Sequence, residues 1–262
     1  MHDEAARGSG AAEPNVPRIR IAAAVSALGI VGVASLAAVP IEALAPEPLD
    51  LSPFAVRTLA LVQPLLLEVV CAFMGAWLAP QVGLDAPAIR RSVSGSSPLP
   101  VLRRQVARAL CVALAVALLL LAYAALVASA DEEARGRLET FATPLATRVL
   151  YGGLAEEILA RWGVMTLAVW LAWRSAGRPH HLGGWAYWLG IGAAAAIFAL
   201  GHLPMLFALL HAPPAWLVAS VVAANTVAGI GFGWLYWRAG LEAAMIAHAL
   251  AHVVAFAAQA FT

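Results

Sequence analysis

An all-α fold, a polytopic transmembrane helical bundle of about seven to eight membrane-spanning helices, is what this sequence predicts. Apolar runs of about 20 residues recur along the chain, the length a helix needs to cross a hydrocarbon layer about 30 Å thick. Of the 262 residues, 62% are hydrophobic and 12% are charged, whereas a soluble domain carries about 25% charged side chains. The charges are gathered mostly into the connections between the runs, so the few left inside them stand out.

Residues 1–17 are polar, contain Gly, Ala and Pro, and read as a disordered N-terminal tail rather than a cleaved leader, because no small-residue cleavage site follows a short apolar core. Helical spans are expected at about 19–40, 55–80, 105–129, 144–174, 184–211, 214–237 and 241–261. Residues 18–142 thus supply the first three spans. Thr143-Pro144 is the start signal of the longest segment, which gives seven spans as one tilted helix and eight as a broken pair. Pro64 and Pro204 mark kinks whose freed backbone groups neighbouring helices would satisfy.

Arginine placement sets the expected orientation, since the chain contains no lysine. Arg7, Arg18 and Arg20 precede the first span, Arg90, Arg91, Arg103 and Arg104 fill the second connection, and Arg174 and Arg178 follow the fourth span. By the positive-inside rule those connections face the cytoplasm, which puts the N-terminus inside a cell membrane and the C-terminus outside it. The acidic connection with Glu42, Glu47 and Asp50 falls on the opposite side. Trp170, Trp173, Trp185, Trp188, Trp234 and Trp237 all come at ends assigned to the cytoplasmic interface, where amphipathic rings prefer to lie. A net charge of +1 offers no field for nucleic acid, so the lipid bilayer is the expected surrounding. Cys71 and Cys111 lie in separate apolar runs without metal or redox spacing and read as small packing residues.

Inside the spans the ionisable residues are Glu68, Glu156, Glu157, Arg161, His202, His248 and His252. A charged side chain at a helix centre costs about 2.5–3.5 kcal/mol on insertion scales, so such residues default to a functional reading. Glu157 and Arg161 are four apart with the acid first, the favoured order for a helical ion pair. Glu156 lies about 100° around the helix and has no local partner, so it must find one on another helix or stand near water. Glu156, His202 and His248 each fall near the middle of their spans and can meet in one layer. Phe198 and His202 share a helix face, as do His248 and His252.

Each residue also has a bland reading. A Glu-Glu-x-x-x-Arg pattern in a soluble helix is a solvated salt-bridge face, a reading the apolar flanks weaken here. A membrane histidine can equally be an interhelical hydrogen bonder. His180, His181 and His211 sit in connections and read as surface residues. Glu68 either serves the site or pairs with an arginine such as Arg148. Gly229-Ile230-Gly231-Phe232-Gly233 lies in an apolar helix and reads as close packing rather than a phosphate loop.

An intramembrane acid with histidines suggests water activation, and the residue supply removes several routes to peptide cleavage. A serine–lysine dyad needs lysine. An aspartyl dyad needs aspartates that Asp3, Asp50, Asp85 and Asp131, all in connections or the tail, do not provide. His-Glu-x-x-His is absent because Ala249 follows His248, and no Gly-x-Ser-x-Gly elbow occurs. A glutamate with histidines from other helices is left.

Glu156-Glu157-x-x-x-Arg161, Phe198-x-x-x-His202 and His248, in that order on separate helices, resemble the three motifs of the CPBP family, the CAAX-protease and bacteriocin-processing (ABI) intramembrane proteases. The run from Gly229 through Trp234, Tyr236, Arg238-Ala239-Gly240 and Ala247-His248 is similar to the family's approach to its third motif. The likeness covers residues 143–262, which it identifies as a catalytic core. The family's third motif usually carries Asn or Asp four residues after its histidine, and this chain has His252 there.

The resemblance implies an intramembrane endopeptidase acting on a membrane-associated protein or peptide. Glu156 would be the general base that activates water and His202 would position or polarise it. His248 with His252 would stabilise the oxyanion, Glu157 and Arg161 would hold the helix that fixes Glu156, and Phe198 would wall the site. If a metal takes part, Glu156, His202 and His248 would hold zinc with an open position, while the same residues also suffice for metal-free glutamate catalysis. The rival readings are a non-catalytic scaffold or immunity-type member of that family and a proton-coupled transporter using Glu68, Glu156 and the histidines as a relay.

Overall fold

Small residues decide how these apolar helices close on one another. In lipid no hydrophobic force drives two helices together, so close contact depends on side chains small enough to let backbones approach. The computed structural model describes residues 16–40, 51–141 and 143–259. The expectations for the tail as far as Asn15, including Arg7, and for Glu42, Glu47 and Asp50 lie outside those residues.

The described chain is helical throughout, with no strand. Helix α1 (Arg18–Ala34) runs on into a 3₁₀ turn (Ser35–Ala38). Helix α2 (Pro53–Leu78) opens with the Ser52 hydroxyl accepting from Ala55 N–H at 3.2 Å, and continues through Pro64. A short α3 (Pro87–Val93) precedes the long α4 (Leu99–Ala130) and the amphipathic α5 (Glu132–Thr140). A central helix follows, made of α6 (Leu145–Thr147), π-wound turns at Arg148–Glu156 and Ile158–Met165, and α7 (Thr166–Ser175). Then come α8 (Gly184–Gly201), α9 (Leu203–Leu209), α10 (Ala215–Ala239) and α11 (Leu241–Gln259).

Among the described residues, six helical stretches are long and apolar enough to cross a membrane: Arg18–Ala38, Phe54–Val82, Leu99–Ala130, Gly184–Leu209, Ala215–Ala239 and Leu241–Gln259. The sequence predicted seven to eight. The difference is the central helix, which carries Arg148, Glu156, Glu157 and Arg161 and changes from α to π winding. It is continuous from Leu145 to Ser175, so the broken-pair alternative does not occur. π winding is rare, usually limited to single turns, and concentrated at functional sites. The fifth expected span, by contrast, is interrupted. Helix α8 stops at Gly201 and α9 restarts at Leu203 with Pro204 in its first turn, leaving His202 at the break.

The central helix is an inner pillar. Helix α1 closes on it where a Cβ at Gly32 would stand 2.8 Å from the Leu150 carbonyl oxygen and 2.9 Å from Ala155 Cβ. Helix α11 closes on it at Gly153, where a Cβ would stand 2.9 Å from Ala249 Cβ. Thr147 Oγ1 donates to the Ser35 carbonyl at 2.9 Å, and Trp162 Nε1 donates to the Ala72 carbonyl at 3.1 Å, tying the pillar to α1 and α2. Apolar side chains form two clusters. The main one runs from Ile21 to Ala251, and a second, around Val127, Leu206, Leu210, Leu217 and Val221, joins α4, α5, α9 and the start of α10.

A buried polar clasp sets the register of α11. Glu242 accepts from Ile89 N–H at 2.7 Å and from Gln105 Nε2 at 3.1 Å, and Gln105 Nε2 also donates to the Ala239 carbonyl at 2.7 Å. Gly240 has φ +102°, a conformation that suits glycine, and there α10 turns into α11. The expected tryptophans gather at this end, with Tyr187 stacked on Trp237 at 4.7 Å and Arg238 over Trp237 at 4.5 Å.

The contact at Gly32 is limited by backbone, which cannot move aside. Gly32→Ala is expected to cost about 1–3 kcal/mol by overpacking and to lower the melting temperature of the detergent-solubilised protein. An unchanged melting temperature would show that α1 does not seat on the central helix as described.

Candidate active site

Three helices and one helix break deliver the predicted residues. Glu156, Glu157 and Arg161 come from the π-wound part of the pillar, Phe198 from α8, His202 from the α8–α9 break, and His248 and His252 from α11. Glu157 and Arg161 have no exposed side-chain surface, and Arg161 Nη1 lies 3.1 Å from Glu157 Oε1. Arg161 is the one partner that the four-residue spacing predicts for Glu157. The structure adds a second, because His248 Nδ1 donates to the same Glu157 oxygen at 2.8 Å. Arg161 also donates from Nη2 to the Gly229 carbonyl at 3.1 Å, and its guanidinium lies 4.8 Å from the Phe198 ring centre and 5.4 Å from that of Phe232. The ion pair is therefore the hub between the pillar, α8, α10 and α11, rather than a support for Glu156 alone.

Glu156 points away from that hub and is partly exposed, its Oε2 lying 3.8 Å from His248 Nε2. That separation is too long for a direct hydrogen bond. His248 itself is held on three sides: by Glu157, by Phe232 stacked on it at 4.6 Å, and by His252 at 5.1 Å between ring centres. The Nε2 atoms of His248 and His252 both face Gly152, where a Cβ would stand 3.0 and 3.3 Å from them. Only a residue without a side chain leaves them that approach. His202 Nδ1 bonds the Phe198 carbonyl at 2.8 Å, and the Phe198 ring lies 4.7 Å from His202 and 6.2 Å from His248. His202 is within electrostatic range of both other histidines.

These partners fix two tautomers. A carbonyl oxygen only accepts, so the hydrogen on His202 is at Nδ1. The Glu157 carboxylate, paired with Arg161, also only accepts, so His248 carries its hydrogen at Nδ1. In its neutral form each ring then presents an Nε2 lone pair. Such tautomers suit metal ligation, yet among the described residues no three His, Cys, Asp or Glu side chains are grouped closely enough to hold a metal ion. The donor set as arranged does not form a zinc cage.

Glu68 lies apart from this cluster. It is fully buried against α1, where a Cβ on Gly29 would fall on its carboxyl group, and neither carboxyl oxygen has a hydrogen-bond partner. It does not pair with Arg148, whose Nε donates to the Thr143 carbonyl at 2.9 Å. Sequence reasoning also missed Phe232, Gly152 and the Gly229 carbonyl as parts of the site. Their signal was position, since Gly152 lies four residues before Glu156 and Phe232 belongs to the small-residue run assigned to packing.

Glu157→Gln should leave Arg161 buried without a counter-charge, a change worth about 3–5 kcal/mol. The variant should melt well below the parent in detergent, and adding Arg161→Met should recover part of the loss. If the single variant melts with the parent, the ion pair is not the hub.

Residues 138–254 match the family model described as type II CAAX prenyl endopeptidase Rce1-like. Comparison with curated proteins and with solved structures found no match in either.

Proposed function

We propose, from the membership of residues 138–254 in the Rce1-like family of type II CAAX prenyl endopeptidases, that this chain hydrolyses a peptide bond of a membrane-associated protein or peptide. The observation that carries the reading is the placement of Glu156 Oε2 3.8 Å from His248 Nε2. Two acceptors at that spacing can share one water molecule, the nucleophile the reaction needs.

The Glu156 carboxylate takes a proton from the water as its oxygen attacks the substrate carbonyl carbon. The Nε2 lone pair of His248 accepts the water's other hydrogen and aims it, with His202 arranged to help from the α8–α9 break. A tetrahedral intermediate forms, its former carbonyl oxygen now carrying the negative charge. His252, whose Nε2 faces Gly152 and whose tautomer no hydrogen bond fixes, supplies a donor to that oxygen. The proton held by Glu156 then passes to the amide nitrogen, the carbon–nitrogen bond breaks, and a carboxylic acid and an amine leave. Phe198 and Phe232 wall the histidines and keep bulk water away. In this reading the arginine-rich connections and the N-terminus face the cytoplasm of a cell membrane. No step is routed through zinc. A zinc requirement is tested by elemental analysis of the purified protein and by chelation, and loss of cleavage on chelation with recovery on adding zinc would establish it.

Glu156→Gln and His202→Ala are each expected to lower cleavage about 10²–10⁴-fold in proteoliposomes while the proteins insert and melt normally. The readout is a panel of quenched-fluorescence peptides, prenylated and unprenylated, ending in a CAAX sequence. Cleavage by both variants at the parental rate would overturn the assignment.

A further inference from the structure

Asn225 is the only amide side chain on α10, and the mechanism above does not use it. It lies on the same helical face as Gly229 and Phe232, at spacings of four and seven residues. Both of those residues touch the site, Gly229 through its carbonyl to Arg161 and Phe232 through its ring on His248. Helix α10 runs antiparallel to α8, with Gly229 against Ala195 and Gly233 against Ile191. Continuing that register brings Asn225 level with Ala199, between Phe198 and His202.

The surroundings along α10 point the same way. Ala228 belongs to the main apolar cluster and Val221 to the second. Asn225 therefore lies on α10 between the two clusters. It is half-buried, and Nδ2 gives one hydrogen to the Val221 carbonyl of its own helix at 2.9 Å. A primary amide has two N–H donors, so one donor is left to serve another group.

The site needs such a donor. With their Nδ1 hydrogens engaged by Phe198 and Glu157, His202 and His248 have no Nε2 hydrogen to offer a developing oxyanion when their rings are neutral. His252 provides one donor, where stabilisation of the tetrahedral intermediate gains from more than one. We propose that Asn225 is a second oxyanion donor, binding the substrate carbonyl oxygen as it becomes charged from the α10 side of the cleft. This rests on the hydrolytic reading of Glu156.

The test uses the full chain in proteoliposomes with the prenylated quenched-fluorescence CAAX peptide. Asn225→Leu, close in volume and without a donor, should lower kcat about 10²–10³-fold with little change in KM and no loss of melting temperature. Asn225→Asp adds a signature that a packing role would not produce. Its ionised carboxylate cannot donate and repels the oxyanion, so activity should be low at neutral pH and recover toward acid as the carboxyl gains a proton. Parental kcat in Asn225→Leu, or a pH profile for Asn225→Asp that parallels the parent, overturns the proposal. If Glu156→Gln is inactive in the same assay while Asn225→Leu is not, only the role of Asn225 fails. If Glu156→Gln retains parental activity, the hydrolytic reading fails with it.

Discussion

A charged pair with no exposed surface, Glu157 with Arg161, is the constraint on which the rest of the bundle depends. Two ions withdrawn from water lose several kcal/mol of hydration each, and their mutual attraction offsets this only when further hydrogen bonds satisfy what remains. Here the extra partners come from three other helices: His248 from α11, the Gly229 carbonyl and the Phe232 face from α10, and the Phe198 face from α8. Satisfying the pair therefore brings together the helices that carry the reactive residues. A hydrophobic pair of equal volume would hold the pillar as well or better, but it would not fix the orientation of the His248 ring.

That orientation separates the two adjacent glutamates chemically. Glu157 holds a cation and a histidine on one oxygen and has no exposed surface, which removes it from reaction. Glu156, next in sequence, is turned toward accessible space and reaches only as far as 3.8 Å from the ring that Glu157 has aimed. The two acids thus divide the tasks of structure and proton transfer. The π winding contributes, because it widens the helix where both acids, Gly152 and Arg161 must face different neighbours.

Much of this was legible in the sequence because membrane helices announce themselves by composition. The all-α class followed from apolar length, and the Glu157–Arg161 pair followed from a four-residue spacing that either winding allows to meet. The resemblance to the CPBP family followed from Glu156, His202 and His248 in order on separate helices, and residues 138–254 match an Rce1-like family model. What was not legible depends on azimuth and depth between helices, which a linear pattern does not encode. Nothing in the spacing of Glu157 and His248, 91 residues apart, predicts their contact. Glu68 illustrates the same limit, since a rare acid in a span suggested either a role in the site or an arginine partner such as Arg148, and the structure seats it against Gly29. The span count differed because the pillar trades apolarity for charge, which its burial among other helices permits and exposure to lipid would not.

The helix breaks between α8 and α9 at His202, at the level of the site rather than within the main core. An unbroken α8 would carry its hydrogen bonds past the site and leave the two apolar clusters as one dry column. By ending at Gly201 and restarting under Pro204, the chain leaves a polar layer where His202 meets the level of Asn225. Below it the main cluster protects the ion pair, and above it the smaller cluster around Leu206, Leu217 and Val221 closes the bundle. Glu156 is partly exposed, whereas Glu157 and Arg161 are not exposed at all. The same division that stabilises the bundle therefore decides which carboxylate can meet a water molecule and a substrate carbonyl together.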